Sequence, residues 1–499
     1  MKRHPALYLT ILLAVFYTLL GNNRIDSGDG EAMFQVTRAL AESGRLDLPP
    51  NILAPVELVP GVSTDTEIAY TAIGRDGRTY AKYGLGQSLA ALPLYYLGLA
   101  WQAVTGQIYA SRWTTTLLSG LLTALTAGLL LILARDLGFP KKVGITLALI
   151  FGLCSPAWPY THTFFSEPLV TFCLMLAALA AVRFARRDQA RWLALMGWAL
   201  GFALLTRINA LAALPAFALY LALTWKARRS PLPVILRQAA AALIPFGVGV
   251  GLVLLYNLIR FGALLDFGYR TSNWQTPFHV GLYGLTLSPG KGVLWFMPPI
   301  VLGIAGFRSF ARSRSHEAWL CGTMVLGYLL FHSPYTYWEG GWCWGPRLLL
   351  PALPFALLPI GSLLVRRGKK QLTELALALG IVLGLFIQIP AVGSNYARPL
   401  QKIFAESPEK FQNRWLFQPA YSPLIGQWRS LMEVTANLRS PAARAEITRQ
   451  LAEIQPDNSL LLTDSPTEAL YVERLAFLSA NLPDFWLVSR TWLPREEVP

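Results

Sequence analysis

The stretch WTTTLLSGLLTALTAGLLLILA, residues 113–134, decides the fold class. It contains no charged side chain, and a helix of this length crosses the hydrocarbon core of a bilayer, which is about 30 Å thick. Similar apolar runs occur at 240–256 and 372–390. Only 14% of the 499 residues are charged, whereas soluble globular chains carry roughly 25%. The sequence therefore predicts an all-α polytopic membrane protein.

Basic residues between the apolar runs predict the topology. They form six short clusters, namely Lys2/Arg3, Arg135/Lys141/Lys142, Arg183/Arg186/Arg187/Arg191, Lys226/Arg228/Arg229/Arg237, Arg308/Arg312/Arg314 and Arg366/Arg367/Lys369/Lys370. Because such clusters stay on the cytoplasmic side, an even number of spans must separate consecutive clusters. We expect an uncleaved first span, about 11 spans in total, a cytoplasmic N-terminus and an extracytoplasmic C-terminus in a multi-pass protein of the cell membrane.

The predicted spans are 5–21, 113–134, 143–160, 168–184, 192–206, 209–225, 238–256, 292–307, 317–332, 347–365 and 372–390. Residues 84–104 are also apolar, but a span there would place the next five basic clusters outside. We therefore expect a juxtamembrane or re-entrant helix in a long external loop, 22–112. Because the inner loops are short and basic, any chemistry is expected on the outer face.

The C-terminal part has a different composition. Residues 391–499 hold 11 Lys/Arg and 12 Asp/Glu, so the net charge of +15 lies in the first 390 residues, mostly in the basic clusters. This distribution indicates membrane topology rather than nucleic-acid binding. Ser440-Pro441 predicts the start of an amphipathic helix, and 459–465, 466–482 and 484–493 predict strand, helix and strand. We expect a membrane module, 1–390, and a small extracytoplasmic α/β domain, 391–499.

The first external loop contains the principal catalytic candidate. In GDGEAMFQVTRALAESG, 28–44, apolar residues recur at helical spacing after Asp29, and Gly44 follows the last of them. At the start of such a helix the dipole and the free N–H groups favour an ionised carboxylate, which a general base requires. The alternative is that Asp29 only caps the helix.

Lys82 lies a short distance further along the same loop. Asp76-Gly77 predicts a tight hairpin turn, and Lys82 and Tyr83 follow it directly before the apolar segment 84–104. A lysine at the membrane surface can pair with a lipid phosphate as a flexible point charge. The alternative is a lysine that extends to the interface without binding a ligand.

Further polar groups lie at the outer ends of the predicted spans. They are His162, Glu167, Arg207, Arg270, Lys291, His332, Tyr335, Glu339 and Arg347. A charge such as Arg207 between two apolar runs is costly unless it is paired or faces water, and an anionic head group or phosphate is a suitable partner. Glu167 could equally be an ordinary acid in the first turn of a helix. The four cysteines have neither metal-site nor disulfide-framework spacing.

Taken together, these stretches resemble the GT-C superfamily of polyprenyl-phosphate-sugar-dependent glycosyltransferases, in particular prokaryotic relatives of glycosyltransferase family 39, the protein O-mannosyltransferase-like and aminoarabinose transferase-like enzymes. In that family an external Asp starts a surface helix that a Gly closes, as Asp29 and Gly44 do here. The family often has Asp-Glu, whereas this chain has Asp29-Gly30-Glu31. YGLGQSLAALPLYYL, FSEPL, SPGKG and YWEGGWCWGPRLLLPALP also look like bacterial members.

The resemblance implies an inverting transfer of a sugar from a polyprenyl phosphate to an acceptor hydroxyl of a glycan, lipid or protein. It implies Asp29 as the base and Glu167 as a second acid. Lys82 is the first choice for the lipid phosphate, with Arg207 and Arg347 after it and Tyr83 among the substrate-contacting residues. Some relatives use a divalent cation, and no cofactor is assigned here. The alternatives are a lipid-linked sugar flippase or transporter, a glycan polymerase or ligase, and an assembly subunit with a decayed site.

Overall fold

The computed structural model describes residues 4–21, 25, 27–48, 70–106, 110–269, 274–366 and 370–453. Helices dominate them, which confirms the predicted all-α membrane fold. The α-helices are α1 Pro5–Leu20, α2 Gly28–Ser43, α3 Gly86–Thr105, α4 Ala110–Asp136, α5 Lys141–Leu153, α6 Ala157–Tyr160, α7 Glu167–Arg187, α8 Ala190–Thr206, α9 Leu214–Ala227, α10 Leu232–Phe261, α11 Phe278–Thr286, α12 Val293–Phe296, α13 Ile300–Ser313, α14 Ser315–His332, α15 Leu353–Leu357, α16 Ile360–Leu364, α17 Lys370–Gly393, α18 Ala397–Glu406, α19 Phe411–Phe417, α20 Pro423–Arg439 and α21 Pro441–Glu453.

Short 3₁₀ helices complete the helical part at Ile208–Ala213 (η1), Arg347–Ala352 (η2), Pro408–Lys410 (η3) and Pro419–Tyr421 (η4). Within the described residues, six helical segments are long and apolar enough to cross a membrane. They are Ala110–Asp136, Glu167–Arg187, Ile208–Ala227, Leu232–Phe261, Arg347–Leu364 and Gln371–Gly393. The chain is therefore a multi-pass membrane protein, while the total of 11 spans and the orientation of its termini stay predictions.

Helix α7 lies at the centre of the bundle. It packs against α4, α8 and η2, and its small residues Ala177, Ala178 and Ala181 are fully buried. Small side chains let neighbouring helices approach closely inside a membrane. The same device joins α8 to α10, where a Cβ added at Gly197 would lie 2.0 Å from the carbonyl oxygen of Ala242.

The described parts of the loop that is predicted to be external, residues 22–112, fold as their sequence indicates. Helix α2 spans Gly28–Ser43 and ends at Gly44, which has a φ of 65°. The predicted hairpin is confirmed by strands β2, Thr71–Ile73, and β3, Thr79–Ala81, which pair antiparallel. Strand β1, Asp47–Leu48, pairs with β3 from the other side, giving the order β1-β3-β2. The helix expected at 84–104 is α3, and it packs against α2 and α4.

The described part of the tail packs on the membrane module. The Leu416 carbonyl accepts a hydrogen bond from the Gly290 amide at 3.2 Å, and the Ser422 hydroxyl donates to the Pro289 carbonyl at 2.6 Å. The helix predicted after Ser440 is α21. The predicted strand, helix and strand at 459–493 lie outside the described residues, and the domain boundary at 390/391 stays a prediction.

Candidate active site

Asp29 is buried at the start of α2 without serving as its cap. The N-cap is Ser27, whose hydroxyl accepts a hydrogen bond from the Gly30 amide at 3.2 Å. Asp29 is 5% exposed; its Oδ1 accepts from the same Gly30 amide at 3.2 Å, and its Oδ2 accepts from Arg347 Nη1 at 2.8 Å. Since Ser27 supplies the cap, the carboxylate of Asp29 is turned toward the interior of the protein.

Arg347 lies between two carboxylates. Its Nη1 is 2.8 Å from Asp29 Oδ2, and its Nε is 3.1 Å from Glu167 Oε1. The guanidinium stacks on the ring of Phe165, with its central carbon 4.2 Å from the ring centroid. A planar guanidinium suits this combination of ion pairing and stacking. Arg347 therefore joins the starts of α2, α7 and η2.

Arg207 extends the row of charges. Its Nη1 donates to Glu167 Oε1 at 2.6 Å and lies 3.4 Å from the hydroxyl of Ser166. Glu167 is 1% exposed and opens α7, while Arg207 follows the last residue of α8. We call Asp29, Arg347, Glu167 and Arg207 the charge cluster. Its two acids and two arginines alternate, so each buried charge has an opposite neighbour, without which burial would be prohibitive.

Lys82 and three tyrosines lie beside the charge cluster. The ammonium of Lys82 is 5.9 Å from the ring centroid of Tyr269. Burial raises the pKa of the Tyr83 hydroxyl well above its ordinary value, and the nearby charge of Asp29 adds to this effect. The ring of Tyr70 fills the space that a side chain at position 28 would need. Tyr70, Tyr83 and Tyr269 all lie within electrostatic range of Asp29, and we call them the aromatic wall.

Arg260 fixes the chain directly before Lys82. Its Nη1 donates to the Ala81 carbonyl, and its Nη2 donates to Asn257 Oδ1 at 2.9 Å. Arg260 is 2% exposed and its guanidinium carbon is 3.7 Å from the centroid of Tyr256. The end of β3, and with it the backbone of Lys82, is thereby attached to α10.

Lys291 is buried under a loop rather than turned toward the charge cluster. Its ammonium donates to the carbonyls of Gly341 and Cys343 at 3.0 and 2.7 Å, and it lies 2.9 Å from Cys343 Sγ. The side chain is 0% exposed and sits 5.0 Å from the ring centroid of Trp415. Lys291 thus anchors the glycine-rich loop that leads to Arg347. Burial lowers the pKa of this lysine.

The remaining predicted site residues occupy different places. His162 lines a separate small cavity with Tyr17 and Gly120, and burial lowers its pKa to about 4. Tyr335 packs edge to face on Trp274, and burial raises its pKa to about 12.

Glu339 is 7% exposed, and desolvation raises its pKa. Arg270 lies outside the described residues. Within the described part of the chain, no three His, Cys, Asp or Glu side chains are grouped so that they could hold a metal ion.

His332 fixes the orientation of the side chain of Asn209, a residue that the sequence analysis did not name. Its Nδ1 is 2.9 Å from the Tyr328 carbonyl and its Nε2 is 3.0 Å from Asn209 Nδ2. Both ring nitrogens are therefore engaged with protein groups. Asn209 follows Arg207 by two positions in the sequence, and Tyr328 is one helical turn before His332. These short spacings from Arg207 and His332 are the sequence feature that could have identified Asn209 and Tyr328.

The helical fold is GT-C-like. Apo ArnT from Cupriavidus metallidurans has a similar structure, with a TM-score of 0.52 and 15% identity over 94% of this chain and 84% of ArnT. The same protein bound to undecaprenyl phosphate gives 0.49 and 16% over the same shares. The oligosaccharyltransferase of Archaeoglobus fulgidus, tethered to an acceptor peptide, gives 0.44 and 11% over 98% of this chain and 63% of that one.

Residues 97–249 match the model of the dolichyl-phosphate-mannose-protein mannosyltransferase family. No curated protein has a significant match to the chain. The family match covers less than half of the chain, and together with the fold it agrees with the resemblance given by the sequence.

Proposed function

We propose that this protein is an inverting glycosyltransferase that moves a hexosyl or pentosyl group from a polyprenyl phosphate to an acceptor hydroxyl on the outer face of the membrane. The observation that carries the proposal is Asp29, a buried carboxylate at the start of a helix that another residue caps. It lies among paired charges at one end of an apolar helix bundle. Such a carboxylate can accept a proton in a site from which bulk water is largely removed.

Asp29 is the proposed general base. The acceptor hydroxyl gives its proton to the Asp29 carboxylate while its oxygen forms a bond to the anomeric carbon. The bond from that carbon to the phosphate oxygen breaks, and its electron pair stays on the phosphate. Attack opposite the leaving group inverts the anomeric configuration. Arg347 compensates the charge of Asp29 before transfer and holds its Oδ2 in place.

The leaving phosphate gains negative charge as the bond breaks, so it needs a cation close by. Lys82 is proposed to supply it, because its ammonium lies over the ring of Tyr269 in the aromatic wall beside the charge cluster. Arg207 and Arg347, each paired with a carboxylate of the charge cluster, are proposed to add positive charge nearby. The polyprenyl tail would lie along the lipid-facing helices.

A purified protein with a polyprenyl-phosphate sugar and candidate acceptors tests the proposal by mass spectrometry of the products. Asp29→Asn is expected to reduce transfer about 1,000-fold, because general-base catalysis contributes 10²–10⁴-fold. Glu31→Gln is the matched control. Glu31 lies on the same helix and pairs with Arg112 at 3.1 Å, so its loss should lower stability while the folded protein keeps its turnover.

The flippase or transporter alternative makes a different prediction. Such a protein would move the lipid-linked sugar across vesicle membranes and release no transferred product. Wild-type protein that translocates the donor without forming product would contradict the proposal. Near-normal transfer by Asp29→Asn, with inversion preserved, would remove Asp29 from its role as base.

A further inference from the structure

Three buried oxygen atoms in or next to the charge cluster have no hydrogen-bond partner among the described residues, and neither has the nitrogen Arg347 Nε. The three oxygens are Glu167 Oε2, Asn209 Oδ1 and the hydroxyl oxygen of Tyr328. Glu167 starts α7, Asn209 belongs to η1, and Tyr328 lies near the end of α14, so three segments contribute one atom each. Tyr328 is 0% exposed and within electrostatic range of Glu167 and Arg207.

The orientation of Asn209 follows from the hydrogen bonds of His332. The Tyr328 carbonyl only accepts, so His332 Nδ1, 2.9 Å away, must carry the proton. In the neutral ring Nε2 then only accepts, and the group 3.0 Å from it must be the Asn209 NH₂. Asn209 Oδ1 is therefore the amide atom without a hydrogen-bond partner among the described residues. The hydrogen bonds from Tyr328 through His332 to Asn209 fix it as an acceptor at this position.

Leaving such atoms unpaired has a cost. A buried donor or acceptor without a partner costs about 1–3 kcal/mol, and native structures keep few such atoms. Three such oxygens in one neighbourhood point to a ligand that completes their hydrogen bonds. The ligand must bring donors, because Glu167 Oε2 and Asn209 Oδ1 can only accept. The Tyr328 hydroxyl can pair with either kind of group.

We propose that these three atoms form the subsite for the hydroxyl-bearing, or amine-bearing, face of the transferred sugar. A phosphate does not fit there, since its oxygens are acceptors and would face a carboxylate and a carbonyl. Arg207, which is paired with Glu167, has further N–H groups that can donate to the oxygen lone pairs of a sugar ring. This inference rests on the proposed function, and it separates a sugar subsite at Glu167, Asn209 and Tyr328 from a phosphate subsite at Lys82.

The test exploits the unpaired state of the Tyr328 hydroxyl. Tyr328→Phe removes a hydroxyl that has no hydrogen-bond partner among the described residues, so the melting temperature in detergent should not fall. The matched control is Tyr17→Phe. Tyr17 is 2% exposed and its hydroxyl donates to the Gly152 carbonyl at 2.8 Å, so this variant should lose stability and keep its affinity for the sugar.

Binding is measured with bare polyprenyl phosphate and with the same carrier bearing a hexose or an aminopentose. Wild type should prefer one of the sugar-bearing carriers. Tyr328→Phe should bind that carrier about tenfold more weakly, and the bare carrier as wild type does. Equal binding of the sugar-bearing carrier by variant and wild type would overturn the subsite, and so would a fall in melting temperature as large as that of Tyr17→Phe. A wild type that shows the preference but transfers no sugar would refute the proposed function and leave the subsite standing.

Discussion

Two lysines that look alike in sequence occupy contrasting regions of the molecule. Lys82 and Lys291 each follow a turn and precede an apolar helix, and both were expected to bind a phosphate. Lys82 is partly exposed and lies over the ring of Tyr269. Lys291 is 0% exposed and directs its ammonium at two carbonyls and a thiol of the 341–343 loop. A lysine on a glycine-rich turn can thus attach one protein segment to another as readily as it binds a ligand.

The two lysines differ because different segments of the protein pack against the turns that carry them. The turn at Lys82 is held by Arg260, through the Ala81 carbonyl, and the lysine side chain is left at the edge of the protein. The turn at Lys291 is covered by the tail, since Trp415 lies over the ammonium and the Gly290 amide donates to the Leu416 carbonyl. Because the tail excludes water from Lys291, hydrogen bonds to the loop replace the hydration of its ammonium.

The largest expected effect is on Lys291. Lys291→Met should lower the free energy of unfolding by about 3 kcal/mol, because two buried carbonyls lose their donor. Thermal unfolding in detergent measures it. Lys402→Met is the control; Lys402 is exposed and pairs with Glu433 at 2.8 Å, so its loss should have little effect. A Lys291→Met protein that is as stable as wild type and merely binds carrier less well would erase the distinction between the two lysines.

Lys82 should behave in the opposite way. Lys82→Gln is expected to act mainly on donor binding and to raise the donor KM about 100-fold, or about 2.7 kcal/mol. Lys82→Arg keeps the positive charge but not the compact ammonium, so it should recover part of the loss. Measurement of KM for the polyprenyl-phosphate sugar separates the variants. A glutamine variant with a normal donor KM would leave the phosphate without its proposed partner.

Features that depend on a single segment of the chain can be predicted from the sequence. Apolar runs and basic clusters predict the membrane class, and the spacing from Asp29 to Gly44 predicts α2, because both depend on local periodicity. The Asp76-Gly77 dipeptide predicts the hairpin for the same reason. These features are properties of single segments, and the structure confirms the class, the helix and the hairpin.

The arrangement of the candidate site could not be predicted in the same way. The charge cluster joins residues up to 318 positions apart in sequence, such as Asp29 and Arg347. Nothing in the neighbourhood of Glu167 shows that two arginines will flank it, or that Asn209 will be oriented by His332. Partner choice among buried charges depends on helix packing, which a single sequence does not reveal. The sequence therefore predicted which charged residues belong to the candidate site, whereas the structure showed which of them form ion pairs.

A smaller effect is expected in the loop that Lys291 anchors. Gly345 has a φ of 60° and packs on Phe296, where a Cβ would come within 2.8 Å of the ring. Gly345→Ala should therefore cost about 2 kcal/mol, combining backbone strain with a clash. Gly341 has a φ of 76° but open space around it, so Gly341→Ala should cost only the strain, about 1 kcal/mol. Equal losses of stability in the two variants would show that the contact with Phe296 contributes nothing.

The smallest effect concerns Glu339, which starts the same loop. Burial raises its pKa, while the charges of Lys291 and Arg347 oppose the shift. The folded protein therefore holds this proton more tightly than the unfolded chain. The stability it contributes is fully present below the unfolded pKa, about 4.3, and is lost as the pH rises through the folded pKa.

Glu339→Gln should remove this slope, so its melting temperature relative to wild type should be higher at pH 7 than at pH 4.5. If the difference between variant and wild type is the same at both pH values, or has the reverse sign, then Lys291 holds Glu339 as an ion-pair partner. In that case the buried lysine would have a second electrostatic role beyond anchoring the loop carbonyls.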